Sequence, residues 1–531
     1  MRRMSIMGAG LGLWLASGSA RAETYEIAAG EDVEAAIAML QPGDTLELGG
    51  GMYEVTERFS ISLAGTEDQP ITIRAKDGEQ PHIHRPNANE NLVDIDSAQW
   101  VIIDGIEFSG GSAGIRISGA SDLTISNCDI HSTNDVAVRA NDGGVTYERL
   151  HIVGNEIHDT NNTGEGMYLG CNEDACRIAN SIIERNWVHH TNGPTITQGD
   201  GIEIKEGSHG NVVRDNVIHD TNYPCILTYS TVGNGEANVI EGNAMWNCGD
   251  HAIQSAADAV IRNNIILGAA ASGISLQPHQ SGAPSNVQVL HNTIVVPGGR
   301  AMNVSGAVGP VVIANNAIYS QAGPAIQLGG DTSPLTVVGN VGMGGLSGGK
   351  GGYVDGDIAA DFVDAHTGGG VPNDVFPAMG ALVGTADPTY ATEVDFNGLP
   401  RDGGLDVGAY AFDAGGNPGW TLQAGFKEFP DTDPGGDTDG MDTDGGDDTG
   451  TSGDETSSDP SGGSGGGGET TDAGSSGSGG TSRDTDLPGA DGDELGTVDG
   501  CGCRSGEGGP LGVLVMLGLG ALLRRRVTPS A

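Results

Sequence analysis

An all-β right-handed parallel β-helix, a solenoid of stacked coils, is the fold this sequence predicts, and three observations predict it. The first is a recurring motif that starts with asparagine and continues through β-branched residues. It reads Asn155-Glu-Ile-His158, Asn186-Trp-Val-His189, Asn216-Val-Ile-His219, Asn243-Ala-Met-Trp246, Asn264-Ile-Ile-Leu267, Asn292-Thr-Ile-Val295 and Asn316-Ala-Ile-Tyr319. Cys128-Asp-Ile-His131 precedes them in the same frame, and the spacings are 27, 31, 30, 27, 21, 28 and 24 residues. A unit of that length, too short to bury its own apolar face, must stack on its neighbours. The second observation is a further strand after each motif: Gly114-Ile-Arg-Ile117, Gly166-Met-Tyr-Leu169, Gly201-Ile-Glu-Ile204, Cys225-Ile-Leu-Thr228, Ala252-Ile-Gln-Ser255, Gly273-Ile-Ser-Leu276, Ala301-Met-Asn-Val304 and Ala325-Ile-Gln-Leu328. The third is period-two alternation within these strands, which sends the second and fourth residues inward and the third outward. Stacking at about 4.8 Å turns equivalent positions into ladders, so the asparagines are expected to bond along the axis. Cys128 takes the asparagine slot in its coil and reads as a buried thiol. The body, residues 23–412, should hold about ten to twelve such coils.

The elements in chain order support this. Arg2 and Arg3, the apolar run Met7 to Ala16 and Ala20-Arg-Ala22 form a signal peptide over residues 1–22. Glu31 to Leu40 reads as a short amphipathic helix that caps the first coil, since an open solenoid end invites edge pairing. Residues 413–500 are rich in Gly, Ser, Thr and Asp. From residue 431 to 500 there are 19 acidic residues and one base, a charge of −18, so a disordered linker is expected. Residues 501–531 carry Cys501-Gly-Cys503, an apolar run Leu511 to Leu523, and Arg524-Arg-Arg526. Thirteen apolar residues at 1.5 Å each reach about 20 Å, short of the roughly 30 Å hydrocarbon core, so a processed sorting segment fits better than a spanning helix.

The net charge of −47 repels nucleic acid, which is excluded as a partner. About −29 remains outside residues 431–500, so a polyuronate would need a cation to reach the body. Export allows disulfides: Cys171 and Cys176 bracket four residues, and Cys225 and Cys248 lie about one coil apart. A monomer is expected, secreted and held at the outer membrane or cell surface by its tail.

Several segments resemble known families. Ala35-Ala-Ile-Ala-Met-Leu-Gln-Pro-Gly-Asp44 and Pro70-Ile-Thr-Ile-Arg74 resemble the opening of secreted, pectate-lyase-like right-handed β-helix proteins, alginate lyases and chondroitinase-B-type lyases among them. Asp395-Phe-Asn-Gly-Leu-Pro-Arg401 and Asp406-Val-Gly-Ala-Tyr410 resemble the closing motif of choice-of-anchor β-helix proteins. The last residues resemble the myxobacterial C-terminal sorting tail, which implies Cys501 or Cys503 as the processed residue. Glu203 and Asn211-Val-Val-Arg-Asp-Asn216 match a segment of chondroitinase-B-type lyases. The family's base falls where this chain has Gly207-Ser208, its lysine comes early, and Tyr229 stands near the place of the family's arginine.

Chemistry is expected on the outward column of the second strand, at Arg116, Tyr168, Glu203 and Gln254, with Lys205 and Tyr229 two residues further on. Long loops at Asn161–Glu165 and Thr191–Asp200 flank it. Lys205 is the candidate base and Tyr229 the candidate proton donor, both pointing to solvent. Tyr168, Glu203, Gln254 and Arg116 are candidate substrate contacts, and Asp200, Glu203 and Glu165 would hold calcium. The expected function is cleavage of a uronate-containing polysaccharide by a lyase. The alternatives are a non-catalytic carbohydrate-binding or surface-structural β-helix, and a glycoside hydrolase using Asp200 and Asp250. His131, His158, His189 and His219 share one column, read as a structural stack. Glu184, Arg214, Glu241 and Arg262 alternate in sign on successive coils, read as a salt-bridge ladder.

Overall fold

The computed structural model describes residues 21–429. The signal-peptide residues up to 20, the acidic stretch from 430 and the tail with Cys501 and Cys503 lie outside them. Within the described residues the chain winds through about 11 turns of a parallel β-solenoid. Each turn gives one strand to each of three parallel sheets, of 15, 13 and 12 strands. The strands Ile182–Glu184, Trp187–Thr191 and Ile202–Ile204 form one turn, and the next turn repeats them at Val212–Arg214, Val217–Thr221 and Ile226–Thr228.

Alternation builds the core. Ile130, Ile157, Val188, Ile218, Met245, Ile266, Ile294 and Ile318 stack inward in the thirteen-stranded sheet, each no more than 1% exposed. Burying each such side chain contributes about 1.5–3 kcal/mol. The corner between the fifteen- and thirteen-stranded sheets is a single left-handed residue followed by the ladder asparagine. Asp215, Asn263 and Asn315 adopt φ of 57°, 54° and 60° there, and Gly154 and Gly242 take 66°. Short polar side chains and glycine tolerate that conformation, which explains the Asn, Asp or Gly before most ladder residues; Arg185 and His291 take it before Asn186 and Asn292, at φ of 53° and 51°.

The ladder itself runs from Asn155 through Asn186, Asn216, Asn243, Asn264, Asn292 and Asn316 to Asn340. Each Nδ2 donates to the next Oδ1 at 2.9–3.0 Å, and each backbone N–H donates to the same oxygen. A shorter second ladder, Ser181, Asn211 and Asn238, turns another corner. Glu184 pairs with Arg214 at 2.6 Å and Glu241 with Arg262 at 2.6 Å, in register on successive turns. Cys171 is joined to Cys176 and Cys225 to Cys248, while Cys128 is buried and free.

The capping helix spans Val33–Ile37, with Asp32 accepting from the Ala35 N–H. It is shorter than the stretch from Glu31 to Leu40 because Leu40 leaves the helix to pack into the core, where it is 4% exposed. The other end differs more from expectation. The body does not stop at Phe412: Trp420, Leu422 and Lys427 are buried, so residues 413–429 belong to it and not to a linker. Phe362, Phe376, Phe396, Tyr410 and Trp420 join a second apolar cluster with Trp246, Leu267, Val295 and Tyr319, the outward residues of the thirteen-stranded sheet. Arg401 ties this segment down through Asn263 (3.1 Å) and the Gly408 and Ala409 carbonyls (both 2.9 Å). Lys427 does so through Asp215 at 2.7 Å and the Gly242 carbonyl at 2.8 Å. Among the described residues no helix is long and apolar enough to cross a membrane.

Candidate functional site

The outward column of the twelve-stranded sheet is continuous, in the order Asp94, Arg116, Arg139, Tyr168, Glu203, Leu227, Gln254 and Ser275. Arg139 was missed in the sequence. The gap of 52 residues between Arg116 and Tyr168 is twice the repeat, and Val138-Arg-Ala140 supplies the absent strand.

The structure brings Lys205, Glu203 and Tyr229 together. Lys205 Nζ donates to Glu203 Oε1 at 2.7 Å and to Tyr229 Oη at 3.3 Å, and Tyr229 Oη donates to Glu203 Oε1 at 3.0 Å. The ammonium also lies 4.8 Å from the Tyr168 ring centre and 4.6 Å from that of Tyr229. This cluster does not point to solvent, contrary to the sequence reading: Lys205 is 5% exposed, and Glu203, Tyr229 and Gln254 are also buried. The cause is covering loops. The loops before Gly166 and Gly201 pair with each other, Thr197 N–H to Asn162 O at 2.8 Å and Gln198 N–H to Thr163 O at 3.0 Å. On the opposite edge the loop 277–284 folds back across earlier turns. Gln280 reaches Asn172 at 3.1 Å, the Ser281 N–H donates to Glu206 at 3.1 Å, and His279 Nε2 faces Tyr229 Oη at 3.2 Å. Sequence reasoning missed His279 and Glu206. The Pro- and Gly-bearing run Pro278-His-Gln-Ser-Gly-Ala-Pro284 between two strands was the available signal.

Two candidate contacts lie apart from this cluster. Arg116 is three turns from Glu203, about 14 Å along the stack, and is held by Asp94 at 3.3 Å and Asp142 at 2.6 Å. Gln254 is two turns away on the other side.

Glu165, Asp200 and Glu203 converge, with one carboxylate oxygen of each within 4.8 Å of the others, all buried. Burial, aided by Glu203, pushes the Glu165 carboxyl up to about 7, and burial with Glu203 and Glu165 also raises Asp200. Burial alone would lower Lys205, but Glu203 and Tyr168 outweigh it and raise the amine, so Lys205 is a firm cation here. Burial, then Glu203, raises the Tyr229 phenol. Glu165 Oε2, Asp200 Oδ1 and Glu203 Oε2 are buried without any hydrogen-bond partner. Three converging buried carboxylates, each with one oxygen that lacks a hydrogen-bond partner, fit a hard cation such as calcium, which takes an all-oxygen donor set. Two surface cavities lie elsewhere, about 360 Å³ beside Asp395 to Asp413 and about 300 Å³ beside Glu107.

Comparison with known proteins agrees with this architecture. The chain is a parallel β-helix. Residues 16–222 match the model of a Pel9A-like right-handed β-helix region, and residues 191–318 match a right-handed β-helix region. An alginate lyase from Paenibacillus sp. strain FPU-7 is similar at 21% identity, over 61% of this chain and 99% of that one, with a TM-score of 0.42. Pectate lyase Pel9A is similar at 14% identity, over 74% and 97%, with a TM-score of 0.45. XylC in complex with xylose reaches a TM-score of 0.51 at 10% identity, over 73% and 98%. At these identities the likeness is one of fold. No curated protein matches the chain.

Proposed function

We propose that the chain is a polysaccharide lyase acting on a uronate-containing glycan, with its reacting groups at Lys205, Tyr229 and the carboxylates Glu165, Asp200 and Glu203. The observation that carries this reading is the set of three buried carboxylates with orphaned oxygens beside a lysine–tyrosine pair. The matched Pel9A-like region spans all of these residues except Tyr229. Exported, surface-held placement would suit such a substrate, and the leader and tail compositions support it.

Cleavage by β-elimination removes the proton at C5, beside the uronate carboxylate. The C5 electron pair forms the C4–C5 double bond, and the glycosidic oxygen leaves C4 with a proton. Calcium, when bound by Glu165, Asp200 and Glu203, would neutralise the uronate and engage the carboxylate that now pairs with Lys205. Lys205 holds its proton while Glu203 faces it, so the base role requires that pair to loosen. Tyr229, whose hydroxyl contacts Lys205 and His279, would pass a proton to the leaving oxygen. The loop 277–284 must lift to admit a chain, and Tyr168 at the partly open edge offers its ring to a sugar face.

The closed state of this column supports a second reading, a carbohydrate-binding or surface-structural β-helix. One experiment separates them. The full chain in calcium is incubated with a panel of uronate-containing and neutral polysaccharides. Unsaturated products, seen by ultraviolet absorbance and lost in Lys205→Gln of unchanged circular dichroism, support the lyase. Reducing ends without that absorbance indicate hydrolysis. Binding without turnover on every member assigns the binding role.

A further inference from the structure

The outer face of the thirteen-stranded sheet carries two neighbouring columns in its early turns. One holds His82, Glu107, Asp129 and Glu156; the other holds His84, Ser109, His131 and His158. In the next two turns the histidine reaches the carboxylate one turn back, His158 to Asp129 at 3.1 Å and His189 to Glu156 at 3.2 Å. At the start of the columns the pattern changes. Glu107 Oε1 is approached by two imidazoles, His82 Nδ1 at 3.3 Å and His131 Nε2 at 3.3 Å.

The far nitrogen of each of these rings meets a hydroxyl. His82 Nε2 lies 2.7 Å from Ser109 Oγ, and His131 Nδ1 lies 3.0 Å from Ser132 Oγ. If the ring N–H groups donate to those hydroxyls, His82 Nδ1 and His131 Nε2 carry lone pairs toward a carboxylate oxygen. Lone pairs so arranged repel one another unless a cation sits among them. The two histidine–carboxylate spacings fit such a cation, and the three ligand atoms all lie within 4.8 Å of one another. A tetrahedral ion with bonds of about 2.0–2.1 Å to nitrogen and oxygen has ligand–ligand edges of about 3.3–3.4 Å. The hydroxyl partners also supply the outer contacts that orient metal-binding histidines.

We propose that His82, Glu107 and His131 form a binding site for a divalent transition ion of the zinc class. The ligands come from three successive turns, Pro81–Arg85, Glu107–Gly110 and Asp129–His131, so the ion staples these turns together. All three side chains are partly exposed, at 20%, 35% and 21%. That exposure gives the ion an approach from solvent, and a water can complete the four-coordinate shell of such an ion. Two imidazoles select a softer ion than calcium, so this site is chemically separate from the all-carboxylate cluster at Asp200. It is also independent of any lyase activity.

The test uses the full chain, stripped with a chelator and kept in excess calcium so that the carboxylate cluster does not compete. Titration calorimetry with zinc should give one such site per chain, and cobalt(II) should give the intense visible bands of tetrahedral coordination. Glu107→Gln and His131→Gln should each weaken zinc at least 100-fold and abolish the cobalt bands with unchanged circular dichroism. Ser132→Ala should weaken it about 10–100-fold, as loss of an orienting partner does. His219→Gln, in the same histidine column three turns beyond His131, should change nothing. If either ligand variant misfolds, His82→Gln gives the same reading. Absence of zinc binding in the unaltered chain, unchanged affinity in the ligand variants, or loss of binding in His219→Gln overturns the proposal.

Discussion

Asn186 offers a direct test of what holds the solenoid together. Its Oδ1 accepts from the Asn155 N–H at 3.0 Å and from Asn155 Nδ2 at 2.9 Å, while its Nδ2 donates to Ile152 O at 2.9 Å and to Asn216 Oδ1 at 3.0 Å. Leucine has a similar volume and makes none of these bonds. In Asn186→Leu, Asn216 Oδ1 keeps the Asn186 backbone N–H, and Asn155 Nδ2 keeps Ile125 O. The Asn155 N–H loses its partner outright, and Ile152 O loses its side-chain donor. At about 1–3 kcal/mol for each buried group left short, the substitution should cost about 2–6 kcal/mol. The added apolar surface recovers part of this, so the lower half of that range is expected. Equilibrium urea denaturation of the full chain measures it, with the slope of the transition checked for change. The converse substitution sharpens the test. Cys128 stands in the ladder slot with its Sγ near Ile103 O, and Cys128→Asn restores an amide that can donate to Asn155 Oδ1. A gain of about 1 kcal/mol is expected. A loss below about 0.5 kcal/mol in Asn186→Leu would refute the view that the amides, rather than the isoleucine columns, set the register.

Three further outcomes follow from the same contacts. Burial would raise the Glu184 carboxyl, but hydrogen bonds from His151 and Arg214 outweigh it and hold it at about 2. Its contribution is therefore full above the unfolded value near 4.5 and is lost as pH falls through about 2. Glu184→Gln should cost about 1–3 kcal/mol at pH 7, with the gap to the unaltered chain closing in acid denaturation-midpoint measurements. Lys205→Ala leaves Glu203 buried without its cation and should destabilise by about 3–5 kcal/mol by urea titration, and calcium should recover part of the loss. A chain ending at Phe412 should melt at lower temperature than one ending at Phe429, because it lacks Trp420, Leu422 and Lys427; equal melting temperatures would show that residues 413–429 add nothing.

The fold was legible because one constraint is repeated in every turn. Each coil needs an inward amide at the same corner and an inward β-branched residue two positions later, so the spacings between motifs reappear as the chain separations of the ladder bonds, 27 for Cys128 to Asn155 and 31 for Asn155 to Asn186. The position of Glu203 in one outward column, with Lys205 and Tyr229 two residues further on, was legible for the same reason. Their burial was not, because it depends on the loop 277–284 reaching back to Asn172 and Glu206, contacts 108 and 75 residues apart that no periodicity encodes.

The end of the body was misplaced although its signal lay within the repeat. In the motif's fourth position the residues run His131, His158, His189, His219 and then Trp246, Leu267, Val295, Tyr319. That side chain points outward, so a change from imidazole to apolar means that the later turns are covered on that face. The stacking shows the change directly, as the His219 ring meets Trp246 at 4.7 Å in an almost parallel pair. The cover is the returning segment with Phe362, Phe376, Phe396 and Trp420, and its anchors Arg401 and Lys427 bind Asn263 and Asp215, the left-handed corner residues of two of these turns. Lys427 is the more exacting anchor, since its side chain is fully buried and satisfied by Asp215 and the Gly242 and Phe396 carbonyls. Lys427→Met should leave Asp215 without its cation, cost about 3–5 kcal/mol, and detach the segment before the coils unfold. Limited proteolysis would then cut between residues 413 and 429 while the solenoid stays intact. Equal resistance of Lys427→Met and the unaltered chain would show that the apolar cluster alone holds the segment in place.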